Sequence, residues 1–367
     1  MKRLFTVLTS IALTFALSFS AAFASDDAFL KSQNYLKTIT LDSPDAVIAY
    51  EATGMEADYK ADALLNNFKE TDYTTASYGD LAKSIIAISL LGENPKDFNK
   101  TNLVEILENR VQEDGTLTND VNGGCGATIW TLMALETVNS PKVKTVADKL
   151  STMAMENGAY WYEYQGPNAD LDTTGWAMEA LSVAGRSTYD AAISKACTFV
   201  QSNATDGSYD IGWGGNADTQ SCVLEGLSVA GYTLDTNAYN YLLSYQNEDG
   251  TFNALNYSTG QLEPNAYASV EGARALGVIN NGSFVLKARR DYTKTTTPVV
   301  TEPETPTTPT TPSTTTPAVK PETTTTEPKK ETVKVVNTGD NTNVMAYVVA
   351  AIAAVGVIVL VIKSKKK

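Results

Sequence analysis

A 46-residue period limits what this chain can fold into more than any other feature. Segments that each read as one helix can be stacked so that Asp80, Gly126, Asp172, Asp218 and Pro264 fall in register, 46 residues apart each time. The copies are Tyr78–Gly92, Gly124–Leu135, Leu171–Gly185, Ala217–Gly231 and Pro264–Gly277, and a shorter one opens the series at Pro44–Gly54. Asp or a neighbour stands near the starts, where a side-chain oxygen caps free amides, and Asp172 is expected to be such a cap. Gly stands at most ends, where left-handed backbone closes a helix. The bodies are apolar on all sides, as in helices buried on most faces.

Between these copies lie amphipathic segments at helical spacing, such as Val143–Met155, Asp190–Ser202 and Asn237–Gln246. A repeating αα unit cannot bury its own face and must stack, and six such hairpins can close into a ring. The expected fold is therefore all-α, a six-hairpin α/α toroid (α6/α6 barrel) over residues 25–290. Turn signals at Asp114-Gly115, Asn157-Gly158, Asp206-Gly207 and Asp249-Gly250 end the outer helices. Aromatics follow them, in Tyr160-Trp161-Tyr162, Tyr209–Trp213 and Phe252–Tyr257. These loops lead into the inner helices and so gather at one rim, where rigid scaffolds display function.

The two ends place the ring outside a cell. Met1-Lys2-Arg3, the apolar stretch Leu4–Phe19 and Ala22-Phe23-Ala24 form a signal peptide, residues 1–24. Residues 291–336 are dominated by Thr and Pro and read as a disordered, extended stalk. Residues 337–367 form an anchor whose apolar run, Val344–Ile362, suffices for one transmembrane helix at about 1.5 Å per residue. The basic tail Lys363–Lys367 keeps its side cytoplasmic.

Charge and residue usage remove several functions. Acidic residues outnumber basic ones 42 to 28, for a formal charge of −14. Lys2, Arg3, Lys363, Lys365, Lys366 and Lys367 lie at the two ends, so the exposed domain is more acidic still, which excludes nucleic acid as a partner. The chain has no histidine, which removes Ser-His-Asp chemistry and any metal site that needs imidazole. Cys125, Cys197 and Cys222 permit at most one internal disulfide.

Tyr241-Leu-Leu-Ser-Tyr-Gln-Asn-Glu-Asp-Gly-Thr-Phe252 resembles the repeat of prenyltransferases and squalene cyclases, and Asp172-Thr-Thr-Gly-Trp-Ala-Met-Glu-Ala-Leu181 is similar to their inner helices. The resemblance covers about residues 26–280 and implies the six-hairpin toroid, which is also the fold of transcobalamin-type vitamin B12 carriers and complement-like thioester domains. It does not carry a reaction across. The prenyltransferase zinc set needs a His that is absent. The cyclase acid, Asp-x-Asp-Asp, is matched only as Asp170-Leu171-Asp172-Thr173. The thioester Gly-Cys-Gly-Glu-Gln is matched only as Gly124-Cys125-Gly126, before Ala127-Thr128. A glycan-cleaving toroid would need two facing carboxylates, for which Glu163, Asp170, Asp172 and Asp218 are available. Asn337-Thr338-Gly339-Asp340-Asn341, ahead of the apolar helix and basic tail, resembles a Gram-positive sorting signal in which Val335-Val336 replace Leu-Pro. Sortase processing would cut between Thr338 and Gly339 and join the chain to peptidoglycan; without it the chain stays a single-pass membrane protein.

No catalytic residue and no metal site emerge from these patterns. The expected function is non-enzymatic capture of a small molecule or glycan at the aromatic rim by Trp161, Tyr162, Asp172, Trp176, Trp213 and Asp218. Trp130 and Trp176 occupy equivalent positions in successive inner helices, where core packing competes with ligand contact. No cofactor is expected; a corrinoid or a terpenoid would enter as ligand. Two alternatives stand beside this reading, a terpene cyclase with Asp172 as its acid and a structural or adhesive surface protein.

Overall fold

A computed structural model describes residues 26–56, 62–118, 120, 124–162, 166–212 and 214–296. All of them belong to one compact unit, Met1–Val300. The expected signal peptide, most of the stalk, the anchor with Thr338 and Gly339, and Trp213 lie outside the described residues. Among the described residues no helix is long and apolar enough to cross a membrane.

Among the described residues, twelve helices alternate between an outer and an inner layer. The outer ones are α1 (Asp26–Leu36), α3 (Asp62–Glu70), α5 (Leu103–Asn109), α7 (Val143–Met153), α9 (Asp190–Ser202) and α11 (Thr236–Leu243). The inner ones are α2 (Pro44–Ala52), α4 (Tyr78–Leu90), α6 (Cys125–Thr137), α8 (Leu171–Gly185), α10 (Ala217–Val229) and α12 (Ala266–Asn281). Each inner helix packs on the next, and α12 packs back on α2, so the inner ring is closed. Burial follows the layers: every residue of α6 is buried, whereas α7 buries the stripe Val146, Ala147 and Leu150. The fold is mostly helical, an α/α ring of the kind the period predicts.

Two close approaches show why small residues recur. A Cβ on Gly250 would lie 2.1 Å from the Lys31 carbonyl oxygen of α1, and its φ of +85° favours glycine in any case. Gln246, just upstream, donates its Nε2 to the Ala28 carbonyl (2.9 Å) and to Ser32 Oγ (3.0 Å). The last outer helix is thereby tied to the first. The equivalent turn glycines 115, 158 and 207 press on α7, α9 and α11 in the same way, so these turns wedge each outer helix against the next. Inside the ring, Gly175 of α8 and Gly226 of α10 let the two backbones meet; a Cβ on Gly226 would lie 2.2 Å from the Gly175 carbonyl oxygen.

Some expectations change. The N-cap of α8 is Asp170, which accepts from the Thr173 amide at 2.7 Å, and that of α10 is Asn216, at 2.8 Å from the Thr219 amide. Asp172 and Asp218 therefore sit inside the first turn. The rim loops carry two antiparallel hairpins, β1–β2 (Ala204–Thr205 with Ser208–Tyr209) and β3–β4 (Phe252–Asn256 with Gln261–Asn265). Cys125, Cys197 and Cys222 are all buried, and none is in a disulfide. A thirteenth helix, α13 (Phe284–Thr296), stands outside the repeat, packs on α2, α4 and α6, and runs past residue 290, where the composition had suggested the folded part ends.

Candidate functional site

The N-terminal ends of α8 and α10 meet below the rim loops and form a crevice lined by Asp170, Asp172, Tyr209, Asp210, Ile211 and Thr219, among others. The β1–β2 hairpin supplies its outer wall. Asp210 shapes the loop after the hairpin by accepting from the amides of Gly212 (2.7 Å) and Gly214 (3.0 Å). The crevice holds about 30 Å³, room for a water molecule or two. A wider cleft of about 520 Å³ opens by α2, α3 and α4, but its Asp72 is engaged by the hydroxyls of Thr74 (2.6 Å) and Thr75 (3.0 Å). Those bonds hold the Asp72 carboxyl below its ordinary range.

Asp172 behaves differently. Burial, followed by the negative charges of Asp170, Glu271 and Asp218, pushes its pKa up to about 8, although Thr219 donates a hydrogen bond to it. Asp218, one repeat on, is pushed up to about 7 by burial and by Glu271, against the pull of Arg274. No ion pair among the described residues includes either carboxyl. At neutral pH Asp172 is mostly protonated and Asp218 partly so. A neutral carboxyl can donate one hydrogen bond and accept others, which an ionised one cannot.

Deeper along the axis lies a band of ionisable side chains that the sequence reading overlooked. Glu179, Glu225 and Glu271 occur 46 residues apart on α8, α10 and α12. All three are buried, together with Arg274. The Arg274 Nε donates to both Glu225 oxygens (3.1 and 3.0 Å), and Nη1 lies 3.6 Å from Glu271. Burial works against the guanidinium's charge, but Glu225 and Glu271 outweigh it and hold the pKa well above its usual value. Burial and Glu225 raise Glu179 well above the carboxylate range. Near the rim, Lys83 pairs with Asp45 at 2.8 Å and lies 4.6 Å from the centre of the Trp130 ring. The 46-residue spacing of the three glutamates was the available signal; nothing local marked Arg274.

The expected site residues thus divide. Asp172 lines the crevice, and Asp218, one repeat on, is near enough for its charge to act on Asp172. Trp176 goes to the middle of the ring, where it packs on Trp130 at 5.7 Å between ring centres, and Trp130 stacks on Phe284 of α13 at 6.4 Å and 27°. Both tryptophans are core, and with Phe284 they occupy the axis that a terpene-sized chain would need. Trp161 and Tyr162 are half-buried where their loop packs on the core; the Trp161 carbonyl accepts from the Cys125 amide at 3.1 Å. The aromatic and apolar side chains that do face solvent at the rim lie on and beside β3–β4. Tyr257 is 91% exposed at the hairpin tip, with Leu255 and Leu262 as a cross-strand pair below it and Tyr267 at the start of α12. The hairpin packs on α10 and α12.

No family model and no curated protein matches this chain. Among solved structures, an unsaturated glucuronyl hydrolase from Bacillus sp. GL1, responsible for the degradation of glycosaminoglycan, superposes with a TM-score of 0.43 at 14% identity. That superposition covers 70% of this chain and 96% of the hydrolase. A protein from Actinoplanes superposes with a TM-score of 0.44 at 12% identity, over 76% of this chain and 99% of its own. Likenesses this distant carry no activity across.

Proposed function

We propose that this protein is a ligand-binding toroid displayed on a cell surface, and that it takes a hydroxyl-rich, extended ligand, a glycan, across the acidic rim. The crevice lined by Asp170, Asp172, Asp210 and Thr219 carries this reading. Asp172, a carboxyl mostly neutral at pH 7, offers a donor beside these acceptors, the complement of neighbouring sugar hydroxyls. The exposed Leu255, Tyr257 and Leu262 face of the β3–β4 hairpin supplies an apolar surface on which a sugar ring can lie. A corrinoid or terpenoid is favoured less, because the axis is filled by Trp130, Trp176 and Phe284. Display outside the cell rests on the signal-like start and on the anchor-like end with its Thr338-Gly339 step.

Isothermal titration of the protein against soluble cell-wall glycans, with corrinoids and terpenoids in parallel, tests the reading. Saturable glycan binding that weakens at least tenfold in Asp172→Asn/Asp218→Asn and in Tyr257→Ala supports it. Binding to corrinoid alone, or glycan binding indifferent to these changes, defeats it. A second reading has its own observation: two neighbouring carboxyls with raised pKa values are also the equipment of a glycan-cleaving acid and its partner. New reducing ends released from the same glycans, and lost in Asp172→Asn, would convert the binding protein into a hydrolase.

A further inference from the structure

The end of the ring opposite the rim is closed by α13, and its construction differs from everything else in the fold. The ring is complete without this helix: α12 already packs on α2, and Asn281 Nδ2 donates to the Ala52 carbonyl at 2.9 Å. Gly282 then turns the chain with φ +85° and ψ −178°, a conformation essentially reserved for glycine, and only Gly282 and Ser283 separate ring from helix. From there α13 crosses to the far wall and rests on α2, α4 and α6.

Its seat is matched to it in charge and in shape. Glu51 and Glu136 lie near the C-terminal ends of α2 and α6, both buried, where the helix dipole already disfavours negative charge. Lys287 pairs with Glu51 and Arg289 with Glu136. Ahead of the helix, Ser283 Oγ donates to Glu179 at 2.9 Å, on the mid-ring band. The apolar face of α13 (Phe284, Val285, Ala288 and Tyr292) is buried, and Phe284 reaches the Trp130 ring. Three acids on the ring therefore meet partners from a segment joined to it through Gly282.

We propose that α13 is a separable plug, and that the floor it occupies is a docking site for a basic amphipathic helix, filled here by the chain's own residues 283–296. When the plug lifts, the floor presents the Trp130 ring, Glu51, Glu136 and Glu179 to α13 of a second copy. This site is at the opposite end from the proposed glycan rim, and Asp172 and Asp218 take no part in it.

Hydrogen exchange on the unaltered full chain decides the matter first. The amides of α13 should exchange on the order of tenfold faster than those of α10 and α12, because the plug opens without the ring. The variant Lys287→Ala/Arg289→Ala should widen that gap and leave α10 unchanged. A labelled peptide with the sequence Ser283–Thr296 should bind this variant saturably. It should bind the unaltered chain roughly tenfold more weakly, since the tethered helix competes at high effective concentration. Exchange of α13 in step with α10 overturns the proposal. So does a variant with native circular dichroism that takes up no peptide, or one that binds a scrambled peptide of equal charge as tightly.

Discussion

The rim and the floor of the ring are made from the same six inner helices, and they hold acids in opposite ways. At the rim, Asp172 and Asp218 lie in first turns, where free amides and the positive dipole end should favour the ionised form. Burial outweighs that field, and both remain largely or partly protonated with no cation paired to them. At the floor, Glu51 and Glu136 lie at dipole ends of the unfavourable sign, and each is matched by a cation from α13. Acids that are stored neutral remain available to a ligand; acids that are paired serve to hold a helix. The mid-ring band combines both modes, with Glu225 and Glu271 around Arg274 and Glu179 raised beside them.

The largest expected effect tests whether the band is structural. Arg274→Met removes the one guanidinium shared by two buried glutamates and should cost about 3–5 kcal/mol in denaturant unfolding. A loss below about 1 kcal/mol would show that the band is proton-stabilised like the rim.

Next comes pH. The folded pKa values of Asp172 and Asp218, about 8 and about 7, lie above the ordinary 3.8, so the folded state holds more protons than the unfolded one in between. Stability should be fully present below about pH 4 and should be lost progressively as pH rises from there through about 7 to 8. Thermal melts from pH 4 to 9 should show this slope, and Asp172→Asn/Asp218→Asn should flatten it; an unchanged slope in that variant would place the titrating groups elsewhere.

At the floor, Arg289→Ala should cost about 1 kcal/mol, because the guanidinium is 37% exposed and screened by solvent. A double-mutant cycle with Glu136→Gln measures the coupling, which should weaken in salt if the pair acts as described. Least of all, Tyr257→Ala should change stability by less than about 0.5 kcal/mol, since the ring is exposed, while reducing glycan affinity. A destabilised Tyr257 variant would mean that the hairpin tip supports the fold and not the ligand.

Much of this architecture was legible from spacing. The period placed six inner helices and the alternating outer ones, and α9 was bounded at Asp190–Ser202 from its amphipathic pattern alone. The turn glycines were legible as turns, but their close approach to the next outer helix was not, because it depends on a neighbour some 30 residues away or, for Gly250, on the far end of the chain. Asp172 and Asp218 were legible as candidates, although their capping role belongs to Asp170 and Asn216 two residues earlier. The tryptophans misled: Trp130 and Trp176 share a register with small residues on other inner helices, so the ring can pack them into its own centre.

What the sequence alone determined is the ring, because a helical period is local and each repeat needs its neighbour to bury its apolar face. Tertiary structure decided what fills the ring and which acids keep their protons. Glu179 is met by Ser283, 104 residues on, and Glu136 by Arg289, 153 residues on. Desolvation and charge depend on what stands across the barrel, and residue spacing along the chain does not encode that.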